Sequence, residues 1–80
     1  MPNAGSFFTN PAGLSAGRLI EQAGAKGLRV GDAEVSGKHA NFFLNRGQAT
    51  AADVVKLMQE VQERVEKNSG ILLEPEVLIL

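Results

Sequence analysis

The sequence predicts an α+β domain, a small mixed or antiparallel sheet with two helices packed on it. Three observations lead there. Two stretches carry apolar residues at helical spacing behind a residue that can cap a helix: Ser15 before Ala16, Leu19, Ile20 and Ala23, and Thr50 before Val54, Leu57, Val61 and Val65. Short β-prone runs lie before, between and after them, ending in "ILLEPEVLIL". The chain has 80 residues, enough for one small domain with little surface to spare for burial.

The elements follow in order. Residues 6–8 form a short strand that Asn10-Pro11 and Gly13 stop. Ser15 caps the first helix, Leu14 and Leu19 stand where a hydrophobic staple would close, and Gly24 ends it in a left-handed conformation. "LRVGDAEV" reads as two extended pieces around Gly31-Asp32. "SGKHA" is a turn, and "NFFLNRG" a strand that runs into a polar turn. The second helix starts at Thr50, with Asp53 three residues on in a near relative of the capping box. Along it, Glu60 with Arg64 and Glu63 with Lys67 have the spacing of favourable pairs, and Gly70 stops it. Pro75 marks the last strand as an edge or a bulge. The strand order does not follow from these signals. The expected core is Phe7, Leu19, Ile20, Phe42, Phe43, Leu44, Val54, Leu57, Val61, Leu72 and Val77. Neighbours in a strand point opposite ways, which sets Phe8 apart from it.

Composition narrows the function. There are no cysteines, hence no disulfide and no thiolate metal site, and no metal is expected. Residues 1–8 lack the basic and apolar blocks of a signal peptide, and no run approaches the roughly 20 apolar residues of a spanning helix. The chain is therefore read as cytoplasmic, with no membrane partner. A net charge of −1 does not favour nucleic acid. Residues 18–46 are mildly basic, with Arg18, Lys26, Arg29, Lys38 and Arg46 against Glu21, Asp32 and Glu34. That balance suits a small anionic ligand as well as anything larger, while an ordinary solvated surface is the commoner reading of such a balance.

Four stretches, "AGSFFTNP", "AGRLIEQAGAKGLRVGDAEVSGKHANFFLN", "ATAADVVKLMQEVQERV" and "LEPEV", stand in this order. Together they make the chain resemble the C-terminal, substrate-binding domain of the UDP-N-acetylenolpyruvoylglucosamine reductase (UDP-N-acetylmuramate dehydrogenase) family over nearly its whole length. The short link between Pro11 and Ser15 resembles the family's more compact subtype. The resemblance implies a flavoprotein oxidoreductase of bacterial peptidoglycan precursor synthesis. FAD takes hydride from NADPH and passes it to the enolpyruvyl group of UDP-N-acetylglucosamine-enolpyruvate. It also implies that residues 1–80 are a single domain, that the N-terminal FAD-binding part is a partner absent from this chain, and that this chain alone binds neither cofactor and is inactive.

By the same resemblance Ser6 matches the catalytic proton donor. Hydride addition to one carbon leaves carbanion or enolate character on its neighbour, a base strong enough to take a hydroxyl proton. Glu76 matches the catalytic glutamate acting on the substrate carboxylate or the enolate, and apolar surroundings from Leu73, Val77 and Ile79 would favour its neutral, donating form. Asn10 matches the asparagine near the substrate diphosphate, where an amide NH₂ donates to a phosphate oxygen. His39 lies near another substrate-contacting position. Each has a plainer reading: a serine ending a strand, an acid on an edge strand, an Asn-Pro turn, a packed or surface histidine. Glu74 matches no catalytic role. Two positions depart from the family pattern, since Thr9 and Leu78 stand where a basic residue is usual, each removing positive charge beside an anionic substrate. A nucleotide-sugar or anion-binding module without turnover, or a purely structural domain, are the other readings. An FAD-binding region encoded upstream of Met1 would favour the reductase.

Overall fold

The computed structural model describes residues 5–6, 8–38 and 40–75, with Gly5 and Ser6 as backbone only. Its elements are β1 (Gly5–Ser6), α1 (Ala16–Gln22), β2 (Arg29–Val30), β3 (Ala33–Val35), β4 (Phe42–Asn45) and α2 (Ala51–Ser69). The strands form one sheet in the order β1-β4-β3-β2, and every pairing is antiparallel. The α+β expectation holds, and of the two sheet types predicted the described strands show the antiparallel one. The chain leaves β1 at one edge, passes through α1 to β2 at the other, and meanders back through β3 to β4. Beyond β1 the edge is lengthened by the bridge Phe8↔Pro75, where the segment after α2 comes alongside.

Both helices begin and end as their local chemistry requires. The Ser15 side chain accepts from the Arg18 N–H, and Gly24 follows the last turn of α1 at φ +73°. Thr50 and Asp53 close a reciprocal capping box: Thr50 Oγ1 accepts from the Asp53 N–H, and Asp53 Oδ2 accepts from the Thr50 N–H, both at 3.1 Å. Gly70, left-handed at φ +77°, ends α2. The staple expected of Leu14 and Leu19 is not met, since Leu19 is buried and Leu14 is 46% exposed. Leu14 instead sits in the turn closed by its N–H donating to the Pro11 carbonyl, which carries it to the surface. Neither Glu60 and Arg64 nor Glu63 and Lys67 close into an ion pair. The pairs formed among the described residues are Lys26–Glu21, Arg29–Asp32 and Arg46–Glu34. Side-chain entropy and solvent screening leave exposed helix pairs little reason to lock.

The core lies between the sheet and the helices. Val35 and Phe43 face it from β3 and β4, a paired position in the register, and Ile20, Leu57, Val61 and Val65 face it from the helices. Phe42 and Leu72 depart from the expected core, at 38% and 58% exposed. Each neighbours the residue that is buried, Phe43 or Leu73, because extended chain sends successive side chains to opposite faces. Phe8, set apart by the same rule, is fully buried and meets Phe43 edge to face with ring centroids 6.0 Å apart. Phe7 and Val77 lie outside the described residues.

At the far end of the sheet, the β2–β3 turn locks onto the start of α2. Asp32 Oδ2 accepts from the Gln48 N–H at 2.9 Å and Oδ1 from Arg29 Nη2 at 3.0 Å. The Gln48 backbone bond, then Arg29, hold the Asp32 carboxyl below its ordinary value of 3.8. A depressed folded-state pKa means that the unfolded chain takes up the proton more readily. The stabilisation from Asp32 is therefore complete above the ordinary aspartate range and is lost as pH falls through it toward the lowered folded value. The expected outcome is that Asp32→Asn lowers stability at pH 7, and that the gap between the two proteins narrows on acidification below about pH 4. Urea melts across pH 3–7 measure this.

Gly31, in the same turn, has φ +56°, and a Cβ built on it would stand 2.5 Å from Asp53 Oδ2, inside the capping box. Gly31→Ala is expected to cost about 1–2 kcal/mol from the left-handed backbone alone, and more from displacing Asp53. Gly70→Ala, equally left-handed but with nothing within 4 Å, carries the backbone cost only. Denaturant midpoints should fall further for Gly31→Ala than for Gly70→Ala, and equal midpoints would contradict the contact with Asp53.

Candidate functional site

The site is built where the chain leaves β1. Ser6 stands at the end of β1, opposite Phe42 in the register. Two residues later Phe8 is anchored in the core, and its backbone is held by a side chain rather than a strand. The Phe8 N–H donates to Asn41 Oδ1 at 3.2 Å, and Asn41 Nδ2 donates to the Phe8 carbonyl at 2.9 Å. On the other edge the Thr9 N–H donates to the Glu74 carbonyl at 2.9 Å, and Thr9 Oγ1 reaches the same oxygen at 3.3 Å. The chain at Phe8 and Thr9 is thus gripped from both sides.

Asn10 follows, and its Oδ1 accepts from the Ala16 N–H at 2.9 Å. With Ser15 on the Arg18 N–H, two side chains satisfy two of the free donors at the start of α1. The turn reading and the ligand reading of Asn10 are therefore compatible. Its oxygen orders the loop, and no acceptor among the described residues meets its NH₂, the half that a phosphate oxygen needs.

Two open clefts flank the loop from Asn10 to Ala12. One, about 320 Å³, runs between Thr9, Asn10 and the segment carrying Leu72 and Glu74. The other, about 670 Å³, lies between Asn10, Leu14, Ser15 and Arg18. Arg18 has no ion-pair partner among the described residues, so it is the positive charge that the second cleft presents.

Of the sequence-predicted residues, the structure places Asn10 in both clefts and Ser6 by its backbone at the end of β1. Glu76 and His39 lie outside the described residues. Pro75, directly before Glu76 in sequence, bridges Phe8, two residues after Ser6. The antiparallel bridge therefore brings together the chain segments that carry two candidates 70 positions apart in sequence. Among the described residues no helix is long and apolar enough to cross a membrane.

Sequence reasoning did not single out Asn41 for any role, and it counted Arg18 only in the charge balance. Asn41 gives no local signal, because its partner Phe8 is 33 residues away. Arg18 could have been found from its place one turn inside a helix whose cap faces the Asn-Pro loop.

The family model described as "UDP-N-acetylenolpyruvoylglucosamine reductase, C-terminal domain" matches residues 1–80. A UDP-N-acetylenolpyruvoylglucosamine reductase 2 of Symbiobacterium thermophilum is 65% identical over 78 residues, covering 98% of this chain and 25% of that protein. A UDP-N-acetylenolpyruvoylglucosamine reductase of Moorella thermoacetica is 64% identical over 76 residues, 95% of this chain and 25% of that protein. The crystal structure of UDP-N-acetylenolpyruvylglucosamine reductase from Thermus caldophilus superimposes with a TM-score of 0.79 at 53% identity, over 90% of this chain and 25% of that one. The chain thus spans about a quarter of the length of the relatives it matches.

Proposed function

Because this chain belongs to the family of UDP-N-acetylenolpyruvoylglucosamine reductase C-terminal domains, we propose that it is the substrate-closing domain of such a reductase. Residues 1–80 act as one domain and work with an N-terminal FAD-binding part, in the cytoplasm, on UDP-N-acetylglucosamine-enolpyruvate. The observation that carries this reading is the grip on residues 8–9. It joins the strand ending at Ser6 to the segment leading into Glu76, and sets Asn10 between two clefts open to a ligand.

Following the family resemblance, FAD and NADPH are assigned to the N-terminal part, which would deliver hydride to the enolpyruvyl group. This chain's residues do the rest. Ser6 gives its hydroxyl proton to the carbon next to the carboxylate. Glu76 donates toward the carboxylate or the enolate. The Asn10 NH₂ donates to the diphosphate, and His39 contacts the substrate. Thr9 uses its N–H and hydroxyl on the Glu74 carbonyl, a structural role in place of the positive charge usual there.

The test is an NMR titration of the isolated chain with the enolpyruvyl UDP-sugar, carried to millimolar concentration. Shifts centred on Ser6, Asn10, His39 and Glu76 support the reading. Shifts confined to the remote β2–β3 turn would contradict it. The isolated chain is further expected to be colourless and not to oxidise NADPH. A flavin absorption band in the purified chain would overturn the division of labour between the two parts.

A further inference from the structure

Among the described residues the antiparallel ladder between β1 and β4 runs as far as Ser6↔Phe42. One residue before Phe42 the chain is already turning, and the polar backbone groups of Phe8 are met there by the side chain of Asn41. Its amide carries one acceptor and one donor side by side, the same pair that a strand backbone presents, and it bonds both polar groups of Phe8. Asn41 is half-buried and lies beneath the first turn of α1, so close that a Cβ built on Gly17 would stand 3.8 Å from both its Cβ and its N. The side chain that replaces the strand is therefore itself packed in place.

We infer that Asn41 is a positioning residue for the reaction. It fixes the segment between Ser6 and Asn10, so that the proton donor two residues upstream of Phe8 and the amide two residues downstream meet one substrate. A slip of one residue in extended chain moves every group by about 3.3 Å and reverses the faces. Reactivity is sensitive to far smaller displacements. This inference rests on the proposed roles of Ser6 and Asn10.

The experiment uses the complete enzyme carrying this domain, with Asn41→Leu and Asn41→Asp. Leucine keeps the size and removes both hydrogen bonds. The product-forming half of the reaction is expected to slow about 10- to 100-fold, while flavin reduction by NADPH changes less than about twofold, since the bonds of Asn41 lie on the chain that carries the proton donor. Amide hydrogen exchange should quicken at residues 8–10 and stay as it was in α2.

Aspartate supplies a second, independent readout. Its carboxylate keeps an acceptor for the Phe8 N–H but turns a lone pair toward the Phe8 carbonyl. The protonated acid restores a donor and an acceptor. Product formation by Asn41→Asp, relative to the unsubstituted enzyme, should therefore recover as pH is lowered, a behaviour that loss of packing alone would not give. If Asn41→Leu fails to fold, this recovery decides the matter. Undiminished product formation in both variants, unchanged exchange at residues 8–10, or equal losses in both half-reactions would each overturn the inference. Undiminished product formation by Ser6→Ala as well would mean that the reading of the site fails. A slow Ser6→Ala beside unimpaired Asn41 variants would mean that only the role of Asn41 fails.

Discussion

In a complete reductase carrying this domain, Ser6→Ala is expected to slow product formation by about 10²–10⁴-fold, the contribution of a positioned proton donor, and to leave flavin reduction by NADPH nearly intact. The asymmetry is the point of the prediction. On the proposed reading, hydride delivery depends on groups outside this chain, whereas the proton comes from a group held against the neighbouring carbon. Ser6 ends a strand whose continuation is gripped at Phe8 and Thr9, so the alanine variant loses the hydroxyl without loosening the backbone. Stopped-flow flavin absorbance resolves the two halves: reduction on mixing with NADPH, then reoxidation on adding the enolpyruvyl UDP-sugar. Normal reoxidation in Ser6→Ala would remove Ser6 from the role of donor.

Phe8→Ala is expected to have the largest effect on stability. The ring is fully buried and packs edge to face on Phe43 in the same core as Leu73 and Val35. Truncating a buried phenylalanine costs about 3–5 kcal/mol. A domain of this length has a total stability of only about 4–12 kcal/mol, so the variant should be partly or wholly unfolded near 37 °C. Circular dichroism with urea titration measures it. The same truncation at Phe42, which is 38% exposed, should cost far less. Comparable losses at Phe8 and Phe42 would contradict the assignment of faces. Because the Phe8 backbone also anchors the site, Phe8→Leu offers the gentler comparison, keeping an apolar side chain there while the hydrogen bonds to Asn41 remain.

Much of the fold was legible because its signals are local. Ser15 and Thr50 cap helices by bonding N–H groups three residues on, and Gly24 and Gly70 end them by a backbone conformation that glycine adopts freely. The β2–β3 turn was legible from Gly31-Asp32 for the same reason. Errors arose where a single residue decides which way the chain faces. The run "ILL" holds three apolar residues, and only packing shows that Leu73 enters the core while Leu72 stays exposed. "FF" recurs at residues 7–8 and 42–43, and composition cannot say that Phe8 is inside or that Phe43 is buried while Phe42 is exposed.

The candidate site divides along the same line. Its residue types and the resemblance to the family were readable in the sequence, where Ser6, Asn10 and Glu76 were expected to match family positions and His39 to lie near one. What the sequence by itself determined was an α+β domain with two capped helices, short strands, no cysteine chemistry and a recognisable family. The tertiary structure alone decided the strand order β1-β4-β3-β2, the burial of Phe8, and the grip that Asn41 and Glu74 place on residues 8–9. The physical reason is range. Caps and turns close within a few residues and write themselves into short motifs. The bonds from Phe8 to Asn41 and from Thr9 to Glu74 span 33 and 65 residues, and such contacts exist only once the whole core has set the distance between their partners.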